Sequence, residues 1–481
     1  MIQTTKQITK VIEQDSAALI GEMLKDLIQN HRETTGRRQK KLYDRYMFKD
    51  LPIHKRVPAS YEKVDRRTAA DFFGDIVDTK TGYMGNEVTV EIDRDQYKDE
   101  GQLREEEYRK DTRFIQDFNT VNNTLDLNSE AIKTACICGV SYRWLYLPAG
   151  ENYVKIMNLN PWEVIYIYDK SLDKPQLVIR YYTVKERIFG QGTKEITFVE
   201  WFDENETVFY RDDGFYNFEI DSSQGDEGRL QNLFNRIPII PMLNNGEELS
   251  EAEKAIDIID AYDAIISSTT SEIEQLRLAY MYAKGAGTAI NKELLKVLEQ
   301  TGIFPLPSDG EIGFIKKEIA ADAVTNFLSK LEELIYKFSK SVNMSRDYGG
   351  EMRVIGWQVT LLPLENSSVV TERKFKKSLR EQYSILTDYW RKFQNTDIDI
   401  NSLSFIFTRH FPRDINGEAK TLQLLTGMVS KKTALSQMSF IDDPEKEIER
   451  MEEEASMYPD IEVNDEPGQN DEEDQQPNSE D

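Results

Sequence analysis

The sequence contains very little cysteine and histidine, with two of the first and three of the second among 481 residues. Cys136 and Cys138 lie two apart in an apolar run, and on a helix that spacing points them to different sides. A zinc site needs further Cys or His ligands at characteristic spacings, which this chain does not offer. We therefore expect two buried, reduced thiols, no metal site and no cofactor.

Long apolar runs are also absent. No stretch approaches the roughly 20 residues that a helix needs to span a bilayer. The N-terminus lacks the basic and then apolar pattern of a signal peptide. We therefore expect a protein that contacts no membrane and is made and used in cytosol-like solvent.

Basic residues are too few to balance the acidic ones. The sequence has 60 Lys and Arg against 86 Asp and Glu, a formal net charge of −26. Such a surface repels DNA phosphates rather than gripping them. Ten of the 22 residues from 460 to 481 are acidic and none is basic. This composition predicts a disordered acidic tail over 458–481.

Motifs that carry chemistry are missing too. The sequence has no phosphate loop of the Lys-Ser/Thr type, no nucleophile elbow and no helix with paired histidines. Gly190-Gln191-Gly192 and Gly285-Ala286-Gly287 lack the strand-turn-helix context of a nucleotide fold, so we read them as turns. Neighbouring carboxylates such as Glu332 and Glu333 are more simply explained as a solvated face than as an acid-base pair. We expect no enzymatic activity.

The strongest periodic signal lies between Leu249 and Glu365. Two segments there repeat apolar residues at three- and four-residue steps, which predicts a helix with one apolar stripe in each segment. We expect these stripes to pack through Ile259, Tyr262, Phe327, Leu331 and Leu334. The residues between the segments, 280–317, include seven glycines and prolines, which no continuous helix tolerates. The chain thus leaves along one helix, forms a small lobe and returns along another, although an ordinary helical hairpin in a core has the same periodicity.

The remaining sequence predicts an α+β body. Helical patterns are expected over Thr4–Gln29, from Asp71 to the glycines at 82 and 85, over Arg113–Leu145 and over Val370–Phe393. Between Tyr142 and Arg211, runs of Val, Ile, Tyr, Phe and Trp alternate with turn residues, which indicates an antiparallel sheet. Residues 236–246 contain two prolines, so we expect an extended connector rather than a central strand.

Two basic clusters stand out from this acidic background. The first runs from Arg32 to Arg45, and the second lies between Arg373 and Arg380 on a predicted helix. Such clusters fit phosphates, carboxylates of a neighbouring subunit, or simply a solvated helix face.

A series of short sequence motifs occurs in a fixed order along the chain. They are Val77-Asp78-Thr79-Lys80-Thr81-Gly82-Tyr83, the connector from Pro238 to Asn245, Asp260-Ala261-Tyr262-Asp263, Leu361-Leu362-Pro363-Leu364-Glu365, Glu372-Arg373-Lys374-Phe375, Phe411-Pro412-Arg413-Asp414, Gly427-Met428-Val429-Ser430 and Asp443-Pro444-Glu445. Their order across Asp71 to Glu454 resembles the portal (head-to-tail connector) proteins of long-tailed double-stranded-DNA bacteriophages. One departure precedes Trp357, where this chain has Arg353 and Val354 in place of the family's common Ser-Gly pair.

The resemblance implies a portal-type subunit with an α+β wing, a two-helix stem, a small α/β clip and a helical crown. The implied segments are wing 1–247, stem helix 248–279, clip 280–317, stem helix 318–342, tunnel loop 343–362, wing 363–415, crown 416–457 and acidic tail 458–481. It further implies a ring of about twelve subunits at one capsid vertex, assembled in the host cytoplasm. The implied partners are the terminase large subunit, head-tail adaptors, major capsid and scaffolding proteins, and double-stranded DNA passing through the channel.

The resemblance also directs attention to two groups of residues. In the tunnel loop, Gly349 and Gly350 let the backbone bend, and Arg346 and Arg353 either touch DNA or pair with carboxylates of the same or a neighbouring loop. In the clip, the candidate docking residues are Glu299, Phe304 and Asp309, with a small private core as the alternative for the lobe's apolar side chains. An acidic scaffold or adaptor protein that forms no ring would have the same composition, so that alternative stays open at this point.

Overall fold

The computed structural model describes most of the chain. The described residues are 2–3, 6–14, 16–57, 64–84, 87–99, 102–168, 175–188, 192–214, 216–276, 280–284, 310–315, 321–344, 354–409, 415–425, 427–436, 438, 441 and 444–457. They belong to two compact units, Met1–His410 and Phe411–Asp481.

The first unit combines helices with several sheets. Its helices are α1 (Lys6–Gln14), α2 (Ala17–Glu33), α3 (Thr35–Tyr46), α4 (Phe72–Met84), α5 (Glu105–Asn122), α6 (Thr124–Cys138), α7 (Ile256–Leu276), α8 (Ala321–Ser339) and α9 (Val354–Phe393). Its strands are β1 (Ile2–Gln3), β2 (Glu87–Ile92), β3 (Lys98–Asp99), β4 (Gln102–Leu103), β5 (Val140–Tyr146), β6 (Lys155–Leu159), β7 (Val164–Tyr168), β8 (Pro175–Ile188), β9 (Gly192–Phe202), β10 (Glu206–Asp212), β11 (Glu219–Ile220), β12 (Arg229–Gln231), β13 (Ile239–Leu243), β14 (Tyr280–Lys284), β15 (Glu311–Ile315) and β16 (Leu403–Thr408). The predicted α+β class is confirmed.

The largest sheet has the strand order β1-β7-β8-β9-β10-β11, and β12 also pairs with β10. Strands β7 to β10 are antiparallel neighbours, and β8 and β9 form its longest pair, from Val178 opposite Phe202 to Ile188 opposite Gly192. This arrangement confirms the antiparallel pairing expected between Tyr142 and Arg211, although β5 and β6 from that range belong to a separate sheet. Smaller sheets have the orders β13-β5-β6 and β16-β2.

Both faces of the largest sheet carry buried side chains near its centre, and successive side chains of a strand point to opposite sides. On β8, Leu177 and Ile179 face helix α2, while Val178 faces the smaller sheet β13-β5-β6. Helix α2 presents a continuous apolar stripe at helical spacing. The buried residues of that stripe are Ile20, Leu24, Leu27 and Ile28.

Two predicted helices have different bounds in the structure. The helix expected over Thr4–Gln29 is two helices, since Ser16 adopts an extended N-cap conformation before α2. The helix expected over Arg113–Leu145 is also two helices, because Asn123 takes a left-handed conformation between α5 and α6. Helix α6 ends at Cys138, where Gly139 takes a left-handed φ of +89°. A Cβ at Gly139 would lie 1.9 Å from the carbonyl oxygen of Glu248. Only glycine fits this close approach, so the chain turns there into β5.

The proline-containing connector forms a strand as well. Residues Ile239–Leu243 make β13, which pairs with β5 so that Pro241 lies opposite Tyr142. Strand β13 is at the edge of its sheet, where a missing N–H can face away from the ladder. The prolines therefore exclude a central strand, as expected, but they do not exclude an edge strand.

Helix α9 begins much earlier than the sequence suggests. The sequence predicts a loop over 343–362 and a helix only from Val370, yet residues 354–362 are helical and Pro363 lies inside α9. The loop prediction is therefore wrong for 354–362. A proline inside a helix removes one hydrogen bond and costs about 3 kcal/mol, which the buried stripe later in α9 offsets. That stripe includes Phe375, Leu379, Tyr383 and Leu386.

The second unit consists of three described helices, α10 (Ile415–Leu425), α11 (Lys431–Leu435) and α12 (Pro444–Met457). Ser430 caps α11 by accepting a hydrogen bond from the Thr433 N–H. Helix α12 begins at Pro444, as expected for proline in the first helical position.

Candidate functional site

Helices α7 and α8 pack against each other, as the periodicity predicts. Strand β14 follows α7, β15 precedes α8, and the two strands pair antiparallel from Tyr280 opposite Ile315 to Lys284 opposite Glu311. The chain therefore leaves along α7 and returns along α8, with a β-ribbon at the turn. This ribbon is the described part of the lobe expected over 280–317.

The apolar stripe of α8 is wider than the part of it that other residues of the chain bury. Leu331 and Ile335 are buried, with exposed fractions of 9% and 0%. Phe327 and Phe338 lie on the adjoining edge of the stripe and remain 54% and 50% exposed. Leu334 lies between these two phenylalanines on the helix surface and is half-buried. One half of the stripe thus belongs to the core of the subunit, and the other half faces outward.

The five predicted packing residues divide in the same way. Ile259 and Leu331 lie in the subunit's own core. Tyr262 is half-buried and meets Phe72 of α4 edge to face, with ring centroids 4.9 Å apart. Phe327 and Leu334 remain available to another molecule. The structure therefore does not support one common packing role for all five.

Three buried polar side chains of α7, Asp263, Ser267 and Ser271, hold residues 64–70, a segment that we call the strap. Asp263 accepts a hydrogen bond from the Ala70 N–H, Ser267 from the Thr68 N–H and Ser271 from the Arg66 N–H, each at 2.9 Å. Four residues of helix rise about 6 Å and two extended residues about 6.6 Å, so the two repeats match. The helix therefore binds the strap through its backbone.

Ion pairs add to the attachment of α7. Both oxygens of the Glu274 carboxylate accept hydrogen bonds from the Arg66 guanidinium of the strap. Arg38 of α3 pairs with Glu253, just before α7, and Arg45 pairs with Asp260. Two members of the first basic cluster are thus engaged within the chain rather than with phosphates or a neighbouring subunit.

We expect Ser267→Ala to loosen the strap, because it removes the group that accepts from the Thr68 N–H and donates to the Thr68 carbonyl oxygen at 2.7 Å. Losing these hydrogen bonds should cost about 1–2 kcal/mol locally. Amide exchange of residues 64–70, followed by mass spectrometry, should become roughly tenfold faster. Thr269→Ala on the same helix is the matched control. Equal exchange in the two variants would contradict the role of this ladder.

A buried polar cluster lies where α4, the chain before α7 and α9 meet. The Lys80 ammonium is 2.5 Å from the Glu251 carboxylate and donates to Ser367 at 2.9 Å and to Asn244 at 3.1 Å. Asn244 donates to Glu251 at 3.1 Å, and its backbone carbonyl accepts from the Thr371 hydroxyl at 2.8 Å. Lys80 is 1% exposed, so this cluster is a hydrogen-bonded ion pair away from solvent.

The environment of Glu251 favours its charged form. Burial alone raises the pKa of a carboxyl group. The Lys80 ammonium and the hydrogen bonds from Ser367 and Asn244 outweigh burial, so the pKa of Glu251 lies below its usual value. The cluster therefore retains its ion pair at neutral pH.

Arg143 is a second buried cation, and it joins the body to α9 from another side. Its guanidinium donates to Asn158 at 2.8 Å, to Asn128 at 3.0 Å and to Gln382 of α9 at 3.2 Å, and also to the carbonyl oxygen of Leu127 at 2.9 Å. These four acceptors are all neutral. Burial lowers the pKa of Arg143 to about 10, so the side chain is still charged at pH 7.

Arg409 contacts residues of three of the sequence motifs on which the resemblance is based. Its guanidinium is 3.0 Å from Glu365 and 2.5 Å from Glu372, both on α9. It also lies over the ring of Tyr83, 5.8 Å from the ring centroid. Burial acts to lower the pKa of Arg409, but the two carboxylates raise it above its usual value. Lys80 and Arg409 therefore connect motifs that are distant in sequence to the first half of α9.

Sequence reasoning missed the role of Lys80, although a signal was present. Helix α4 buries Phe73, Ile76, Val77 and Met84, and position 80 falls on the same stripe. A lysine at helical spacing among apolar residues indicates a buried charge that needs a partner. Its partner Glu251 lies 171 residues away, so nothing in the local pattern identifies it.

The other predicted site residues lie outside the described residues. These are Arg346, Gly349, Gly350 and Arg353 of the tunnel loop, and Glu299, Phe304 and Asp309 of the clip. Within the described ranges, no group of His, Cys, Asp and Glu is arranged to hold a metal ion. Cys136 and Cys138 are free and buried, as expected. None of the described helices has the length and apolar character required to cross a membrane.

Comparison with known proteins agrees with the resemblance that the order of the sequence motifs indicates. The family described as "Phage portal protein, SPP1 Gp6-like" matches residues 25–459. The chain is 27% identical to the portal protein of Bacillus phage SPP1 over 380 residues, which cover 74% of this chain and 72% of that relative. It is 24% identical to the portal protein of Clostridium phage phiCD119 over 421 residues, which cover 83% and 87% of the two chains. The chain therefore belongs to the SPP1 Gp6-like family of phage portal proteins.

Proposed function

We propose that this protein forms a ring of about twelve subunits at one vertex of a phage capsid, and that double-stranded DNA passes through its centre during packaging and ejection. The observation that supports ring formation is that the subunit itself leaves half of the apolar stripe of α8 uncovered. Phe327 and Phe338 in this half are about half exposed. Exposed aromatic residues on one edge of a helix suit a contact with a second molecule. A contact between two different faces of identical subunits closes into a ring when the rotation permits.

In this proposal α7 and α8 are the stem, and the sheets with α1 to α6 are the wing. The strap and the Lys80 cluster support it, because they fix α7 and α9 to the sheet-bearing body through several independent contacts. A channel that conducts DNA benefits from such a fixed frame. The segment before Val354 would form the tunnel loop, with Arg346 and Arg353 facing either DNA or neighbouring carboxylates.

The lobe over 280–317 is the proposed clip. The ribbon of β14 and β15 is the described part of this lobe and lies between α7 and α8 in the chain. We assign docking of the terminase large subunit, and later of head-tail adaptors, to this lobe through Glu299, Phe304 and Asp309. Assembly would take place in the host cytoplasm with major capsid and scaffolding proteins, and the crown and acidic tail would follow at 416–457 and 458–481.

The direct test is the mass of the purified protein. A subunit has a mass of 55.9 kDa, so a ring of about twelve subunits should appear as a single species of about twelve times that mass in mass photometry. Negative-stain electron micrographs of the same sample should show rings with a central hole. A monodisperse monomer or dimer across the accessible range of concentration would contradict the proposal and favour an acidic scaffold or adaptor without a ring.

A further inference from the structure

Helix α3 carries a basic surface that the contacts described so far do not explain. The helix lies between two cavities of about 810 and 540 Å³, and Arg37 and Lys41 line both of them. Lys49, just after the helix, lines the larger one. We define Arg37, Lys41 and Lys49 as the α3 basic surface.

These three cations differ from their neighbours in having no partner among the described residues. Arg38 and Arg45 are paired with carboxylates of the same chain, as described above. Lys55, on the rim of the larger cavity, pairs with Asp50 at 2.6 Å. Arg37, Lys41 and Lys49 are exposed, and no described residue forms an ion pair or hydrogen bond with their side chains. Three uncompensated positive charges therefore lie close together on a chain whose net charge is −26.

We propose that the α3 basic surface binds carboxylates of the neighbouring copy in the ring, an inference that rests on the proposed ring. The argument is electrostatic. Copies that each carry −26 repel one another, and a stable contact between them needs opposite charges to face each other at the rim of the apolar area. A basic surface with free cations supplies that complement, and 86 acidic residues per copy supply its counterpart.

The location of the surface also favours a second copy. The larger cavity is lined by Glu253 and Ile256, so it reaches the first turn of α7. Helix α7 packs against α8, whose exposed apolar edge is the proposed contact between subunits. The basic surface therefore borders the N-terminal end of α7, one of the two proposed stem helices. Asp44, Asp50 and Glu253 at the same cavity are already paired with Lys40, Lys55 and Arg38, so Arg37, Lys41 and Lys49 supply its excess positive charge.

The test reverses the three free charges together, as Arg37→Glu, Lys41→Glu and Lys49→Glu. The control triple variant, Lys25→Glu, Arg113→Glu and Arg187→Glu, makes the same change in net charge at exposed positions elsewhere. We expect the protein concentration at half-assembly to rise about tenfold or more for the first variant at about 0.1 M NaCl and little for the control. The difference should shrink at higher salt, because exposed charges are screened. Mass photometry over a concentration series measures it.

A neutral triple variant, Arg37→Gln, Lys41→Gln and Lys49→Gln, should give an intermediate shift, and circular dichroism checks that every variant is folded. Equal assembly of the test and control variants would overturn the inference while leaving the ring intact. Normal assembly of the test variant with loss of binding to a duplex oligonucleotide would overturn it in favour of a nucleic-acid surface. A wild-type protein that forms no ring would instead refute the proposed function, and this inference with it.

Discussion

Lys80→Met is expected to destabilise the protein by about 3–5 kcal/mol, because it leaves the Glu251 carboxylate buried without its counter-ion. The methionine fills a similar volume, so the effect should come from charge and hydrogen bonding rather than from a cavity. Urea unfolding at a fixed protein concentration measures the loss, since assembly makes apparent stability depend on concentration. Lys25→Met on the exposed side of α2 is the control and should change stability by no more than about 0.5 kcal/mol.

The double variant Lys80→Met with Glu251→Gln tests the cause. A glutamine at 251 has no charge and still offers an oxygen and an amide to Ser367 and Asn244, which now contact Glu251. We expect the double variant to regain more than half of the stability that Lys80→Met loses, since the uncompensated charge is the largest part of the cost. If the losses of the two single variants simply add, the ion pair is not the basis of the effect.

The pH dependence of Glu251→Gln has a definite sign. Because the pKa of Glu251 is lower in the folded chain than in the unfolded chain, its ionisation stabilises the folded state above its unfolded pKa of about 4.3. That contribution disappears as the pH falls through the folded pKa. The difference in unfolding free energy between wild type and Glu251→Gln should therefore be largest near neutral pH and should shrink in acid below about pH 4.

Local periodicity predicts much of this fold, since it follows from which residues must face a core. The stripes of α7 and α8 and the alternation in β7 to β9 are of this kind. The same reasoning fails at Pro363, where a strong local breaker is outweighed by the buried residues further along α9, such as Leu379 and Tyr383. It also fails at Gly139, whose role depends on the backbone of Glu248 more than 100 residues away.

The candidate site was less predictable, because it is built from pairs that are distant in sequence. Nothing near Lys80 indicates Glu251, and nothing near Arg409 indicates Glu365 and Glu372. The order of the short sequence motifs did identify the segments that carry the family resemblance. It could not show which of these segments meet in space, and several of them meet at the first half of α9.

The second large effect is expected for ring assembly when the proposed contact between subunits is changed. We expect the double variant Phe327→Glu with Phe338→Glu to abolish the ring, because burying a charge without a partner in an apolar contact costs several kcal/mol. Every interface of a symmetric ring carries the change, so partial rings gain nothing by closing. Both side chains are about half exposed in the subunit. The variant should therefore stay folded, with circular dichroism like that of the wild type.

The choice of these two residues follows from how the stripe is divided. Leu331→Asp would also prevent assembly, but Leu331 is buried within the subunit, so unfolding would give the same result. Thr325→Glu with Ser329→Glu is the matched control, because both positions are exposed on the other side of α8 and the change in charge is identical. Mass photometry should show subunits for the phenylalanine variant and rings for the control. Intact rings in the phenylalanine variant would show that the exposed half of the α8 stripe does not lie between subunits.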